Sequence, residues 1–152
     1  MKRLIELGEK GKPFLLRDNR DKEVRLSNFK GKRVLLSFHP LAWTGVCADQ
    51  MKALEANQER FARFNTVALG LSVDSVPSKN AWAKTIGVKN TPLLCDFWPH
   101  GKLAKAYGLF RPAQGISERA NVLLDEKHRV LWVKVYPIPQ LPDMEEIFRI
   151  LA

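Results

Sequence analysis

The sequence predicts an α/β fold in which a mixed central sheet is flanked by helices and preceded by an N-terminal β-hairpin. Two observations carry this prediction. Short continuous apolar runs alternate with helical patterns, and the last third of the chain holds two more strand-like runs joined by a polar turn. Buried strands that alternate with helices form a parallel core, whereas strands joined by a tight turn pair antiparallel. The sheet should therefore be mixed.

The first half of the chain supplies the hairpin, one strand and one long helix. Two strand-like runs, residues 14–16 and 23–26, flank a polar turn at residues 19–21 and predict the hairpin. Residues 33–38 form an apolar run of the kind that is buried on both faces of a sheet. From residue 47 to about residue 64, apolar side chains return at helical spacing and predict a single helix.

The second half continues the alternation of strands and helices. Strands are predicted at residues 66–73, 93–95, 121–124 and 130–135, and helices at residues 78–86, 101–107 and 143–151. Gly87 is the predicted stop of one helix, and Asp143 is the predicted N-cap of the last helix. No interior linker interrupts the pattern, so we expect residues 1–152 to form a single domain.

Composition excludes several classes of protein. The chain is 45% hydrophobic, so it is not a disordered chain, and its apolar runs are too short to span a membrane. The net charge of +9 is spread along the sequence without a nucleic-acid motif, so we expect neither nucleic acid nor a membrane as partner. Charges interrupt residues 1–9, which argues against a signal peptide and favours a cytoplasmic protein.

The two cysteines, Cys47 and Cys95, are too few to form a disulfide scaffold and do not form a C-x-x-C motif. They also lack the spacing of a zinc site, and no heme, flavin or nucleotide motif is present. We therefore expect chemistry that needs no metal and no bound cofactor. Any thiol function must come from one cysteine, or from a pair distant in sequence.

The candidate site lies at a strand-to-helix junction, three residues after Thr44. With Thr44 as N-cap, Cys47 falls in the first helical turn, where free N–H groups and the helix dipole favour an anion. Such positions lower a cysteine pKa from about 8.5 into a range of roughly 3.5 to 7.5. The Thr44 hydroxyl can accept a hydrogen bond from the helix or donate one to the sulfur, and Pro40 can shape the loop. A buried, inert cysteine is the alternative interpretation.

Residues 38–47, FHPLAWTGVC, resemble the active-site segment F-x-P-x-x-[FW]-T-x-x-C of the peroxiredoxins, the alkyl hydroperoxide reductase and thiol-specific antioxidant family. Further stretches resemble family landmarks in the family's order: VDS at 73–75, LLCD at 93–96, AYG at 106–108 and RANVLLD at 119–125. The resemblance runs from about residue 8 to the C-terminus. It implies a thioredoxin-like fold.

The resemblance also assigns roles. By this resemblance, Cys47 is the nucleophile that attacks a hydroperoxide and forms a sulfenic acid. Arg119 is the cation that stabilises the Cys47 thiolate, and Thr44 and Pro40 complete the pocket. Arg111 is a neighbouring alternative to Arg119. The implied partners are a hydroperoxide substrate, a reductant that is an external thiol or a protein of the thioredoxin or glutaredoxin type, and a second copy of the chain in a homodimer.

Three departures from the family pattern bear on the mechanism. His39 stands where tyrosine is common, and we expect no catalytic role for it. Gln50 replaces a glutamate, which leaves the anchoring of Arg119 open. Cys95 replaces a serine and is a possible resolving thiol, although its place at the end of a buried strand favours an inert side chain.

No cysteine-bearing tail follows in the sequence, so we expect a one-cysteine mechanism with an external reductant. An alternative function from another class stays open. The chain could be a peroxide sensor, or a thioredoxin-fold interaction module that forms mixed disulfides but turns over poorly. The sensor is favoured by Gln50 and by the absence of a clear resolving cysteine.

Overall fold

The computed structural model describes residues 3–152; Met1 and Lys2, part of the charged N-terminal stretch discussed above, lie outside the described residues. The strands are β1 (Leu15–Asp18), β2 (Glu23–Arg25), β3 (Arg33–Phe38), β4 (Thr66–Ser72), β5 (Leu93–Cys95), β6 (Phe110–Arg111), β7 (Ile116–Ser117), β8 (Arg119–Leu124) and β9 (Val130–Tyr136). The helices are α1 (Gly45–Ala56), α2 (Gln58–Arg63), α3 (Val76–Ile86), α4 (Lys102–Ala106) and α5 (Met144–Leu151).

Seven strands form one mixed sheet in the order β2-β1-β5-β4-β3-β8-β9, and β6 and β7 form a separate hairpin. The three central strands β3, β4 and β5 run parallel, whereas β8 pairs with β3, and β1 with β5, in antiparallel fashion. The predicted N-terminal hairpin is present as β1 and β2. The predictions of a mixed sheet and an N-terminal hairpin are therefore confirmed.

This topology brings distant parts of the chain to one edge of the sheet. The parallel strands β3, β4 and β5 all end there, and the antiparallel strand β8 begins there. The register pairs Phe38, the last residue of β3, with Ala120, the second residue of β8. Arg119 therefore lies beside the turn that leads from β3 into α1.

Apolar side chains cover both faces of the sheet. Alternate residues of β3 belong to different core clusters, since Leu36 and Phe38 pack on one face and Leu35 on the other. The second cluster is built largely by the helices α1, α3 and α5. The side chain of Met51 seats α1 against β4 at Gly70, where a Cβ atom would collide with the methionine sulfur.

The predicted helix over residues 47–64 is wrong as a single element, because it divides at Asn57 into α1 and α2. The Asn57 backbone leaves helical geometry at φ −108° and ψ 14°, and its side-chain amide donates a 2.8 Å hydrogen bond to the Ala53 carbonyl. Asparagine side chains compete in this way with the helical ladder. The apolar spacing alone does not reveal the break, because Phe61 is buried on the same side of the sheet as Leu54.

Other boundaries differ by a few residues. The helix α3 starts at Val76, before the predicted residue 78, because the Ser75 hydroxyl caps it by accepting from the Ser78 N–H. The hairpin of β6 and β7 was not predicted, since two residues per strand carry no readable alternation. Gly87 does end α3 with a φ of 76°. Asp143 does cap α5 by accepting from the Glu145 N–H.

Within residues 3–152, the structure contains no helix that is both long and apolar enough to cross a membrane.

Candidate active site

Thr44 is the N-cap residue of α1, and Cys47 is the third residue of this helix. The first helical hydrogen bond runs from the Ala48 N–H to the Thr44 carbonyl, so the N–H groups of residues 45–47 precede the helical ladder. The Cys47 side chain is 1% exposed. A thiolate at this position faces the positive end of the helix in surroundings that screen charge poorly.

Arg119 faces this thiol, with its Nη1 atom 3.4 Å from Cys47 Sγ. The arginine is only 2% exposed, so it is not the surface cation that a strand start often carries. A guanidinium keeps its charge at any pH of interest and presents its N–H donors in a fixed plane. Its donor directed at the sulfur therefore favours the thiolate over the thiol.

Gln50 holds the Arg119 side chain in place. Its Oε1 atom accepts a 2.8 Å hydrogen bond from Arg119 Nη1, while its Nε2 donates to Ser37 Oγ at 2.8 Å and to the Phe38 carbonyl at 3.1 Å. The Arg119 Nε atom donates to the Ile138 carbonyl at 2.7 Å. The guanidinium is thus fixed from two sides without a carboxylate.

Sequence reasoning missed both of these anchors. Gln50 lies four residues before Leu54, on the buried side of α1, and a polar residue in that stripe is a readable sign of a buried hydrogen-bond partner. Ile138 acts through its main-chain carbonyl, and a main-chain group leaves no trace in the sequence.

The Thr44 hydroxyl donates a 2.9 Å hydrogen bond to the Leu41 carbonyl and makes no capping bond to the helix. This corrects the expectation that it accepts from the helix or donates to the sulfur, because its single hydrogen is used within the loop. Trp43 has a φ of 67°, a left-handed conformation that is strained for a bulky residue. The Ala42 N–H donates to Asp74 Oδ2 at 2.9 Å, which ties the loop to the end of β4.

The loop between β3 and α1 is partly buried and partly exposed. Pro40 and Ala42 are buried, whereas Thr44 and Gly45, which precede Cys47 in the chain, are exposed. Because Pro40 has no N–H group, it adds no competing donor near the sulfur.

The structure does not place Cys95 or Arg111 in this cluster. Cys95 lies at the end of β5, with β4 between β5 and β3, and burial raises the pKa of its thiol to about 12. Both cysteines are free thiols. Arg111 lies on β6 and pairs with Glu118 at 3.8 Å.

Comparison with known proteins gives consistent results. The sequence model of the AhpC/TSA family matches residues 7–133 of this chain. Alkyl hydroperoxide reductase E of Mycobacterium tuberculosis is 37% identical over 123 residues, which cover 80% of this chain and 80% of that protein. Peroxiredoxin-2 of Bos taurus is 34% identical over 140 residues, which cover 88% of this chain and 69% of that protein.

The crystal structure of a reduced 2-Cys peroxiredoxin of Plasmodium vivax matches the fold with a TM-score of 0.88 at 32% identity. The match covers 95% of this chain and 79% of that one, which confirms the predicted thioredoxin-like fold. The chain therefore belongs to the AhpC/TSA family and is a peroxiredoxin, a thiol-dependent peroxidase.

Proposed function

We propose that Cys47 is the peroxidatic cysteine of this enzyme, with Arg119, Thr44 and Pro40 completing its site. One observation carries the proposal: the Arg119 guanidinium lies 3.4 Å from Cys47 Sγ, at the positive end of α1 and out of solvent. A fixed cation and free helix N–H groups both stabilise the reactive thiolate. Hydrogen peroxide and organic hydroperoxides are the proposed substrates.

In the proposed reaction, the Cys47 thiolate attacks the terminal oxygen of a hydroperoxide ROOH. The O–O bond breaks as the S–O bond forms, so that sulfur is oxidised to a sulfenic acid and the leaving alkoxide takes a proton from solvent. Arg119 polarises the peroxide and stabilises the negative charge as it moves from sulfur to oxygen. The burial of Cys47 limits the access of bulk water to the sulfur, and Pro40 adds no N–H group beside it.

Reduction of the sulfenic acid takes two equivalents of an external thiol. The first thiol forms a mixed disulfide with Cys47 and releases water, and the second releases the Cys47 thiol and leaves as a disulfide. We propose this one-cysteine route because the raised pKa of Cys95, about 12 in its buried place, keeps that thiol protonated and unreactive. A small thiol or a protein of the thioredoxin or glutaredoxin type can serve as reductant.

The wider organisation is also proposed. Residues 1–152 act as one domain, because strands from both ends of the chain join one seven-stranded sheet and the family match spans most of it. A cytoplasmic location fits two cysteines that are free thiols, because a reducing compartment keeps thiols reduced. A homodimer fits the exposed apolar rim of the site, where Trp43 is 54% exposed and Leu41 is 39% exposed.

Steady-state peroxide consumption with an added thiol tests the proposed function. Cys47→Ser should abolish consumption, because a neutral hydroxyl is a far weaker nucleophile than a thiolate. Retention of most activity in this variant would remove Cys47 from the mechanism. Rapid oxidation of the wild type followed by negligible turnover with every thiol donor would instead favour a peroxide sensor.

A further inference from the structure

A second cation lies buried behind the candidate site. Lys79 belongs to α3, and its position three and four residues before Trp82 and Ala83 places it on the apolar face of that helix. Its side chain is 0% exposed. A lysine is almost never fully buried without a partner or a task, because burial of an ammonium group is costly.

The partner of Lys79 is His39, the residue directly before Pro40. Lys79 Nζ lies 2.5 Å from His39 Nε2 and 5.1 Å from the centre of the Trp82 ring. Burial, together with the charges of Lys79 and Arg119, lowers the pKa of His39 well below its ordinary value, so its ring is neutral. The ammonium therefore donates to Nε2, and the imidazole proton resides on Nδ1.

The titratable groups that act on Lys79 lie in the turn after β4, on β5 and on α1. Burial lowers the pKa of Lys79 to about 8, while the negative charges of Asp74 and of a Cys47 thiolate raise it. Cys95 also faces Lys79, but its thiol is protonated at neutral pH and carries no charge. Since the pKa of Lys79 lies above 7, this lysine carries its charge at neutral pH. Lys79 therefore places a buried positive charge against His39, the residue before Pro40 in the active-site loop, and the neutral ring of His39 does not cancel it.

Residues 74–79, which include Lys79, also contact the active-site loop. The Ala42 N–H donates to Asp74 Oδ2 at 2.9 Å, and the Trp43 Nε1 atom donates to Ser78 Oγ at 3.0 Å. The contact between Lys79 and His39 is a third attachment, placed at the loop's first residue. Of these three, only the last brings in a positive charge.

We infer that Lys79 is a positioning residue of the peroxidase site, whose buried ammonium acts behind Cys47 as a second cation beside Arg119 and holds the loop through His39. The inference rests on the proposed function, in which the Cys47 thiolate reacts. It explains why α3 places a charged side chain where an apolar one of the same length would avoid the cost of burying charge.

Lys79→Met tests this role, because methionine keeps an unbranched side chain and removes the charge. The midpoint of the thiolate absorbance titration should move about one pH unit higher, which lowers the rate with hydrogen peroxide about tenfold at pH values below the midpoint. The thermal unfolding temperature should stay constant or rise, since a buried charge is lost. A residue with a purely structural role would not give this combination.

Two controls separate charge from packing. Lys84→Met removes an exposed lysine of the same helix and changes the net charge equally, and Ser78→Ala removes the contact with Trp43 without a change in charge. Both should leave the thiolate midpoint unchanged. A wild-type midpoint in Lys79→Met, or an equal shift in either control, would overturn the inference.

A second measurement does not depend on whether Lys79→Met folds. Coupling between two charges is reciprocal, so loss of the Cys47 thiolate must lower the pKa of Lys79. In protein labelled with ¹³C-lysine, the Cε signal of Lys79 should titrate below that of an ordinary lysine and should be absent from Lys79→Met. Its midpoint should be lower in Cys47→Ser than in wild type, and equal midpoints would overturn the inference. Activity retained in Cys47→Ser would instead contradict the proposed function.

Discussion

Gln50 accepts a 2.8 Å hydrogen bond from the guanidinium of Arg119 and has no charge of its own. A carboxylate in its place would hold the arginine and also compensate its positive charge. The neutral amide holds the arginine and leaves that charge directed at Cys47. Its Nε2 group also donates to Ser37 and to the Phe38 carbonyl, which an ionised carboxylate cannot do.

Gln50→Glu should therefore impair this enzyme although it restores the residue common in the family. The variant removes two buried donor contacts, a loss worth roughly 1–3 kcal/mol in stability for each group left unsatisfied. The midpoint of the thiolate absorbance titration should also rise, because a second negative charge faces the sulfur. Gln50→Met is the control, because it removes the two donor contacts but does not add a negative charge. A Gln50→Glu enzyme as stable and reactive as wild type would contradict this account.

Arg119→Met should slow the reaction with hydrogen peroxide by about a hundredfold or more, since arginine clamps and oxyanion donors typically contribute that much. The thiolate midpoint should rise as well, because the nearest cation is gone. Stopped-flow kinetics and thiolate absorbance against pH measure the two effects. Arg111→Met is the matched control and should leave both unchanged; the reverse pattern would assign the role to Arg111.

Cys95→Ser should keep steady-state turnover with an external thiol near the wild-type rate. The buried Cys95 thiol has a pKa of about 12 and so remains protonated at neutral pH. Mass spectrometry of wild type after one equivalent of peroxide should show a gain of one oxygen at Cys47. Loss of two hydrogens, with a variant that stalls after one turnover, would show that Cys95 is the resolving thiol.

Glu55→Gln should flatten the acid limb of the stability profile. Glu55 accepts from the backbone N–H groups of Lys89, Asn90 and Thr91. Burial raises the pKa of Glu55. The hydrogen bond from the Thr91 hydroxyl and the three backbone hydrogen bonds lower it by more, so the pKa lies below its ordinary 4.5. A carboxyl whose pKa is lowered by folding stabilises the folded protein fully at pH values above the pKa that it has in the unfolded chain. This stability is lost as the pH falls through the lower pKa of the folded protein.

Thermal unfolding at a series of pH values checks this prediction. At pH 7 the Glu55→Gln variant should be less stable than wild type, and the difference should shrink as the solution is acidified below the ordinary glutamate value of 4.5. The exposed Glu59, in the neighbouring helix α2, provides the control as Glu59→Gln, with no comparable change. A difference independent of pH would show that the charge of Glu55 is not what stabilises residues 89–91.

Trp43→Arg should weaken self-association. The indole is 54% exposed at the rim of the site, and an exposed aromatic side chain there suits an interface between two copies. Sedimentation velocity over a range of protein concentrations measures the dimer fraction. The exposed Trp98, replaced by Arg, is the control; an unchanged dimer in Trp43→Arg would move the interface elsewhere.

The sequence alone predicted most of the elements and the position of the candidate nucleophile. Alternating apolar runs predict the strands β3 and β4, and the spacing of Thr44 and Cys47 places the thiol in the first turn of a helix. Both are local properties, because a strand pattern or a helix N-cap depends on neighbouring residues. The break at Asn57 escaped prediction, since the apolar stripe continues across it.

Only the tertiary structure decided what surrounds the sulfur. Arg119 comes to Cys47 from 72 residues away because β8 runs antiparallel to β3, and the choice between Arg119 and Arg111 depends on that pairing. The anchoring of the arginine by Gln50, and the burial of Lys79 against His39, also depend on the packing of α1 and α3 on the sheet. Hydrogen bonds and electric fields act through space, so the sequence supplies the participants while the fold sets their distances.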